Sequence, residues 1–179
     1  ENIDAVRFIG NHSSGKMGIA LANELSKRGA KVTLVMGPGT AVPGNGMEVL
    51  RVNTAEEMYN ACISKFPGTD ITIMAAAVAD YRAAKPMDGK MKKGEGMLQL
   101  QLEPTTDILK ALGAAKKKDQ VLVGFALETD NEKQFAQKKL QEKNADLIVL
   151  NSLKDEGAGF GVDTNQITIF DRDAKEYAF

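Results

Sequence analysis

Short β-branched, apolar runs alternate with amphipathic stretches along this chain, and that alternation restricts its fold more than any other feature. Ala30–Met36, Glu48–Val52, Asp70–Val78, Gln120–Ala126 and Asp146–Leu150 read as strands, and Gln166–Phe170 as a last, alternating one. Between them lie helical stretches: Gly15–Arg28, a run capped by Asn53 or Thr54 and ending at Phe66, a run starting at Thr105 or Thr106, and lysine-rich Asn131–Asn144. Such alternation predicts an α/β fold, a Rossmann-like, doubly wound, mostly parallel sheet with helices on both faces. At 179 residues and 43% apolar content the chain forms one domain over 1–179. Asp70–Val78 is apolar nearly throughout, which predicts cover on both faces. Leu98, Leu100 and Leu102 alternate with Gln99, Gln101 and Glu103, which predicts a strand with one wet face.

Composition removes several function classes. The 23 basic and 24 acidic side chains give a net charge of −1, so no global field draws the chain to nucleic acid or anionic lipid. The single cysteine, Cys62, excludes an internal disulfide framework and suits a reducing cytoplasm. No apolar stretch reaches membrane-spanning length, and no signal segment opens the chain.

The chemistry concentrates in Gly10-Asn11-His12-Ser13-Ser14-Gly15-Lys16-Met17-Gly18, just ahead of the first helix, with Ser13 or Ser14 as its N-cap. Unpaired N–H groups and the positive dipole end there attract an anion, and a phosphate-bearing ligand is the first expectation. Gly10-x4-Gly15-Lys16 matches the phosphate loop of nucleotidases except that Met17 replaces the magnesium-holding Ser or Thr. A P-loop-like nucleotidase and a non-catalytic nucleotide-binding module therefore stay open as alternatives. No Gly-x-Gly-x-x-Gly dinucleotide fingerprint occurs. From Ala79 to Gly96 regular pattern vanishes, and Lys85, Lys90, Lys92 and Lys93 sit among glycines, as in a binding loop or flap over about 84–96. Lys138, Lys139 and Lys143 crowd one helix and repel unless an anion intervenes. His12 is the only histidine, so it builds no histidine-rich metal site. Ligands of open α/β sheets bind beyond the carboxyl ends of the strands, which gathers Asn11, Ala75–Asp80, the Lys90 loop and Phe125–Thr129 around one crevice.

Four blocks give the chain a resemblance to the ligase domain of phosphopantothenate-cysteine ligases of the bacterial, CTP-dependent type. They are Ile3 through Gly18, Ala75-Ala76-Ala77-Val78-Ala79-Asp80-Tyr81-Arg82, Lys90-Met91-Lys92-Lys93 and Val123-Gly124-Phe125-Ala126-Leu127-Glu128-Thr129, and their order and spacing match along essentially the whole chain. In that family a further strand and a glycine-containing turn precede the position of Glu1. Bacterial members commonly carry the domain behind a flavin-dependent phosphopantothenoylcysteine decarboxylase, and the resemblance also implies a homodimer.

The resemblance implies a reaction of coenzyme A biosynthesis in two halves. The carboxylate of 4'-phosphopantothenate attacks the α-phosphate of CTP, expelling pyrophosphate; the amine of cysteine then displaces CMP from the acyl-cytidylate. Mg²⁺ would screen the triphosphate, through ligands the sequence leaves unknown. By the same likeness, Asn11 acts on the acyl-cytidylate and Lys90 is the catalytic flap cation. Met74, Ala75, Ala76, Asp80, Asp107, Ile108, Phe125, Lys139 and Lys143 join Lys90 as nucleotide contacts, and Arg7 and Ala77 join Asn11 as substrate contacts. Thr105-Thr106 stand where the family has Asn-Pro before Asp107 and Ile108.

Overall fold

The computed structural model describes residues 1–94, 96–128, 132–152, 165–173 and 175–179. Along them run α1 (Lys16–Lys27), β1 (Thr33–Met36), β2 (Glu48–Arg51), α2 (Ala55–Lys65), β3 (Ile71–Met74), β4 (Tyr81–Ala83), β5 (Leu102–Pro104) and α3 (Ile108–Ala115). There follow β6 (Val121–Glu128), α4 (Glu132–Glu142), β7 (Leu147–Ser152), β8 (Ile167–Asp171) and β9 (Glu176–Ala178). Thr129 and Asn131, at the ends of a quoted block and an expected helix, lie outside the described residues.

The expected α/β class holds. Strands β3, β6 and β7 pair in parallel, and β8 and β9 extend the sheet antiparallel in the order β3-β6-β7-β8-β9. β1 and β2 form a separate parallel pair and β4 and β5 an antiparallel one, so among the described residues the strands make three hydrogen-bonded sheets. The core lies on the middle strands: Leu122, Ile148, Phe170 and Leu112 of α3 are fully buried, with Met58, Phe66 and Leu140 in the same cluster. Cys62 packs against this cluster, and burial pushes its thiol pKa up.

Two glycines permit the helix packing. A Cβ on Gly124 would lie 2.7 Å from Leu109 and 2.8 Å from Ile148, so the bare strand lets α3 settle on β6. A Cβ on Gly113 would lie 1.8 Å from the Lys143 carbonyl oxygen, so only glycine lets α3 meet the end of α4.

Several expectations need correction. No serine side chain caps α1; Gly15, at φ 74°, occupies the N-cap. The Ser13 and Ser14 hydroxyls instead accept weakly from Gly15 N and Lys16 N, at 3.3 and 3.4 Å. Thr54 caps α2 as expected, accepting from Glu57 N at 3.1 Å. Strand β3 is less covered than its sequence predicts: among the described residues it is an edge strand, Ile71 is 54% exposed and Thr72, Ile73 and Met74 are half-buried. The Leu98–Leu102 alternation does not face the core: among the described residues its strand portion pairs with β4, and Leu98 is 62% exposed. β4 interrupts the segment expected to lack regular structure, and α3 starts at Ile108 with Asp107 as its cap rather than either threonine. β9 was not expected at all, because Glu176-Tyr177-Ala178 is too short and too polar to signal a strand.

Candidate active site

The N-terminal segment closes on itself before it reaches the site. Glu1 and Ile9 exchange two hydrogen bonds of 2.8 Å, with an isolated bridge between Asn2 and Phe8 inside them. The chain then delivers Asn11, whose side-chain amide donates to the Val78 carbonyl at 2.9 Å. Asn11 is thereby fixed to the turn that leaves β3. The start of α1 packs on the same place, since a Cβ on Gly18 would lie 4.0 Å from that of Ala75. Met74 and Ala75 are half-buried here, whereas Ala76, Ala77 and Asp80 are exposed.

Thr105 joins this turn to the next element. Its N–H donates to Asp80 O at 2.8 Å and its hydroxyl to Ala79 O at 2.7 Å. A proline at position 106 would keep both bonds, whereas a side chain without a donor at 105 would lose the second. Two residues on, the Asp107 carboxylate divides its oxygens: Oδ1 accepts from Lys110 N as the α3 cap, and Oδ2 accepts from Lys143 Nζ at 2.6 Å. Burial pushes the Asp107 pKa up, but the bonds from Lys143 and Lys110 N–H, with the charges of Lys143 and Lys139, bring it below the ordinary carboxylate range. Ile108 is buried in the core beside it. Lys139 donates to Phe125 O at 2.8 Å, at the carboxyl half of β6. Lys139 in α4 and Lys143 just past its end thus each have an oxygen partner within the chain, which resolves the expected repulsion.

The lysine-bearing loop is tied to the N-terminal segment instead. Asp4, 2% exposed, accepts from Val6 N and Arg7 N on Oδ1 and from Arg7 Nη1 and Met91 N on Oδ2. Arg7 Nη1 also reaches the Met91 carbonyl at 3.2 Å, and Met87 N donates to Ile3 O at 2.9 Å. These backbone donors and the Arg7 charge, working against burial, hold the Asp4 pKa down to about 2. Arg7, expected as a substrate contact, is engaged by its own chain. Lys90, Lys92 and Lys93 are exposed around this anchor. Beside it opens a cavity of about 340 Å³ lined by Ile3, Lys85, Met87, Met91, Leu98 and Leu100 among others.

The structure therefore brings the expected residues together as three linked groups: Asn11 with the Ala75–Asp80 turn, Asp107 and Phe125 with the α4 lysines, and Lys90 beside the Arg7 anchor. The sequence assigns no site role to Asp4, Thr105 or Met91, although the first and third quoted blocks contain Asp4 and Met91. An acidic residue three positions before an arginine was the available signal for Asp4. The P-loop geometry is not made, because no strand feeds Gly10; residues 1–9 contain only the isolated bridge. Among the described residues no group of three or more His, Cys, Asp or Glu side chains is placed to hold a metal ion. No described helix is long and apolar enough to cross a membrane.

Comparison with known proteins gives this arrangement a context. The bifunctional coenzyme A biosynthesis protein CoaBC of Bacillus subtilis is 49% identical over 174 residues, covering 97% of this chain and 43% of that protein. A protein named cysteine/cysteine sulfinic acid decarboxylase, from an unknown prokaryotic organism, is 54% identical over 173 residues, 96% of this chain and 48% of its own length. The chain thus spans about half the length of the curated relatives it matches. A crystal structure of the C-terminal domain of a CoaBC protein superposes with a TM-score of 0.84 at 40% identity, covering 100% of this chain and 80% of that one. All 179 residues match the family described as the DNA/pantothenate metabolism flavoprotein C-terminal domain, and the chain belongs to that family.

Proposed function

We propose that this chain joins 4'-phosphopantothenate to L-cysteine at the expense of CTP, giving 4'-phosphopantothenoyl-L-cysteine, CMP and pyrophosphate, as a ligase of coenzyme A biosynthesis. The observation that carries the reading is the Asn11–Val78 bond: it sets a neutral amide against the small-residue turn that ends β3. The kinship with the coenzyme A biosynthesis proteins named above supports the same assignment.

In this reading a carboxylate oxygen of 4'-phosphopantothenate attacks the α-phosphorus of CTP, the bond from that phosphorus to the bridging oxygen breaks, and pyrophosphate leaves with the electron pair. The cysteine amine then attacks the acyl carbon, CMP departs, and the amine gives up a proton. Both steps build negative charge on oxygen, so positioned donors and cations accomplish most of the work. Asn11 holds one amide N–H on Val78 and offers the other to the acyl oxygen; a carboxylate there would repel it. The exposed Ala76 and Ala77 admit the nucleotide and the acyl group close to the backbone. Lys90, from its loop, meets the triphosphate. Phe125 packs on the nucleotide, Asp80 and Asp107 anchor its polar edge, and Lys139 and Lys143 neutralise phosphate from α4.

With no carboxylate cluster among the described residues, Mg²⁺ would be carried in on the triphosphate, and its chemistry there is to screen charge. The site is proposed to work in a homodimer in the cytoplasm and, in the full-length protein, beside a flavin-dependent phosphopantothenoylcysteine decarboxylase.

Mass spectrometry tests the reading. Incubation with 4'-phosphopantothenate and CTP should yield an acyl-cytidylate that added cysteine converts to the amide, with CTP used in preference to ATP. Nucleotide hydrolysis that requires neither organic substrate would overturn it.

A further inference from the structure

Asp4 stands apart from the other groups of the site. The polar residues buried as a whole, among those described, are Asp4 and Gln120. Gln120 secures turns beneath the sheet, donating to Phe66 O and Thr69 O. The hydrogen-bond partners of Asp4 are Val6, Arg7 and Met91, none of which lies in a strand. One of its oxygens closes a local turn onto Val6 and Arg7, the usual Asx arrangement, which needs no remote partner. The second oxygen reaches 87 residues along the chain to Met91 N at 3.1 Å. Arg7, which also donates to that oxygen, reaches the Met91 carbonyl, so both backbone polar groups of Met91 are held by this acid–base pair.

Met91 lies between Lys90 and Lys92. Three lysines within four residues repel one another, and a loop carrying them gains nothing by settling against the protein unless its backbone is captured. A buried carboxylate, for its part, is stable only when its oxygens are filled with donors. Withdrawal of the loop would cost Asp4 its donor from Met91. The two needs are met by one geometry, with the loop docked.

We propose that Asp4 is a positioning residue: by holding Arg7 and the Met91 backbone together on its buried carboxylate, it fixes the lysine loop and with it the approach of Lys90 to the anionic ligand. The claim rests on the ligase reading only for the identity of that anion, a nucleoside triphosphate.

The test compares the wild-type chain with Asp4→Asn and Met91→Pro. Asp4→Asn keeps size while turning an amide towards the Met91 N–H. Met91→Pro removes that N–H and leaves the Asp4 turn intact, while also fixing the backbone at 91 and restricting Lys90, so amide exchange over 87–94 is read together with KM. In both variants KM for CTP should rise about tenfold or more, kcat for capture of preformed acyl-cytidylate by cysteine should stay within about threefold, and amide exchange at residues 87–94 should accelerate. A uniform loss of both half-reactions, or unchanged KM and exchange in either folded variant, would overturn the proposal. If Asp4→Asn does not fold, Met91→Pro decides alone. If the wild-type chain forms no acyl-cytidylate, the ligase reading fails, while exchange at 87–94 still decides whether Asp4 holds the loop.

Discussion

Lys143 Nζ lies 2.6 Å from Asp107 Oδ2, so the end of α4 is pinned to the residue that caps α3. This pair makes the start of one helix and the end of another a single unit at the proposed nucleotide site. Lys143→Met should therefore raise the Asp107 pKa towards the ordinary carboxylate value, which an NMR titration of the carboxyl carbon would follow. Asp107→Ala should cost about 1 kcal/mol as a lost helix cap, measured by urea unfolding, besides weakening nucleotide binding.

Replacing Asn11 by alanine should leave the fold intact and lower turnover by about 10²- to 10³-fold, the scale of one oxyanion donor. Steady-state kinetics on the purified variant decides this. An unchanged rate would remove Asn11 from the mechanism.

Lys90→Ala should act mainly on KM for CTP, raising it by about ten- to a hundredfold, because a cation on the triphosphate contributes mostly to binding. Full activity at limiting CTP would show that the loop lysines serve only solubility.

Acid should weaken the Asp4 anchor in a defined window. The folded-state pKa of about 2 lies below the unfolded-state value, so the ionised group stabilises the fold fully above the unfolded pKa. That contribution fades as pH falls from about 4 towards about 2. The groups facing the carboxylate are the Arg7 guanidinium, which stays charged throughout, and the N–H groups of Val6, Arg7 and Met91. Urea midpoints of the wild type and Asp4→Asn should differ at pH 6 and converge across that window.

Gly113→Ala should destabilise the chain by about 2–4 kcal/mol, since its methyl group would meet backbone rather than a yielding side chain. Displacement of Lys143 should follow, so nucleotide affinity should fall together with the thermal midpoint.

The sequence carried the α/β class because buried strands such as β6 and β7 write their burial directly as apolar runs. It misjudged β3 and the leucine arm for the converse reason: Ile71 and Leu98 are apolar without being covered, and a pattern of residue types does not report which neighbours arrive. Asn11, Ala75 and Lys90 could be read because a resemblance spans them. The blocks also span Asp4 and Met91, but the contact between them joins two loops with no period to betray it, so no role follows from the residues alone. The lysines of α4 were found, but their partners Phe125 O and Asp107 Oδ2 belong to tertiary geometry.

The adjacency of β3 and β6 has a consequence for how this domain tolerates change. Ile71 pairs with Val121, yet β4, the lysine loop, β5 and α3 all lie between them. Chain-closure entropy grows only with the logarithm of length, so doubling such an excursion costs about 0.6 kcal/mol. Insertions within the lysine loop of this excursion should thus scarcely burden the sheet, provided that β4, β5, the buried face of α3, the Asp4 anchor and Thr105 keep their places. Variation in loop length can alter what the lysines reach while the strands beneath remain in register.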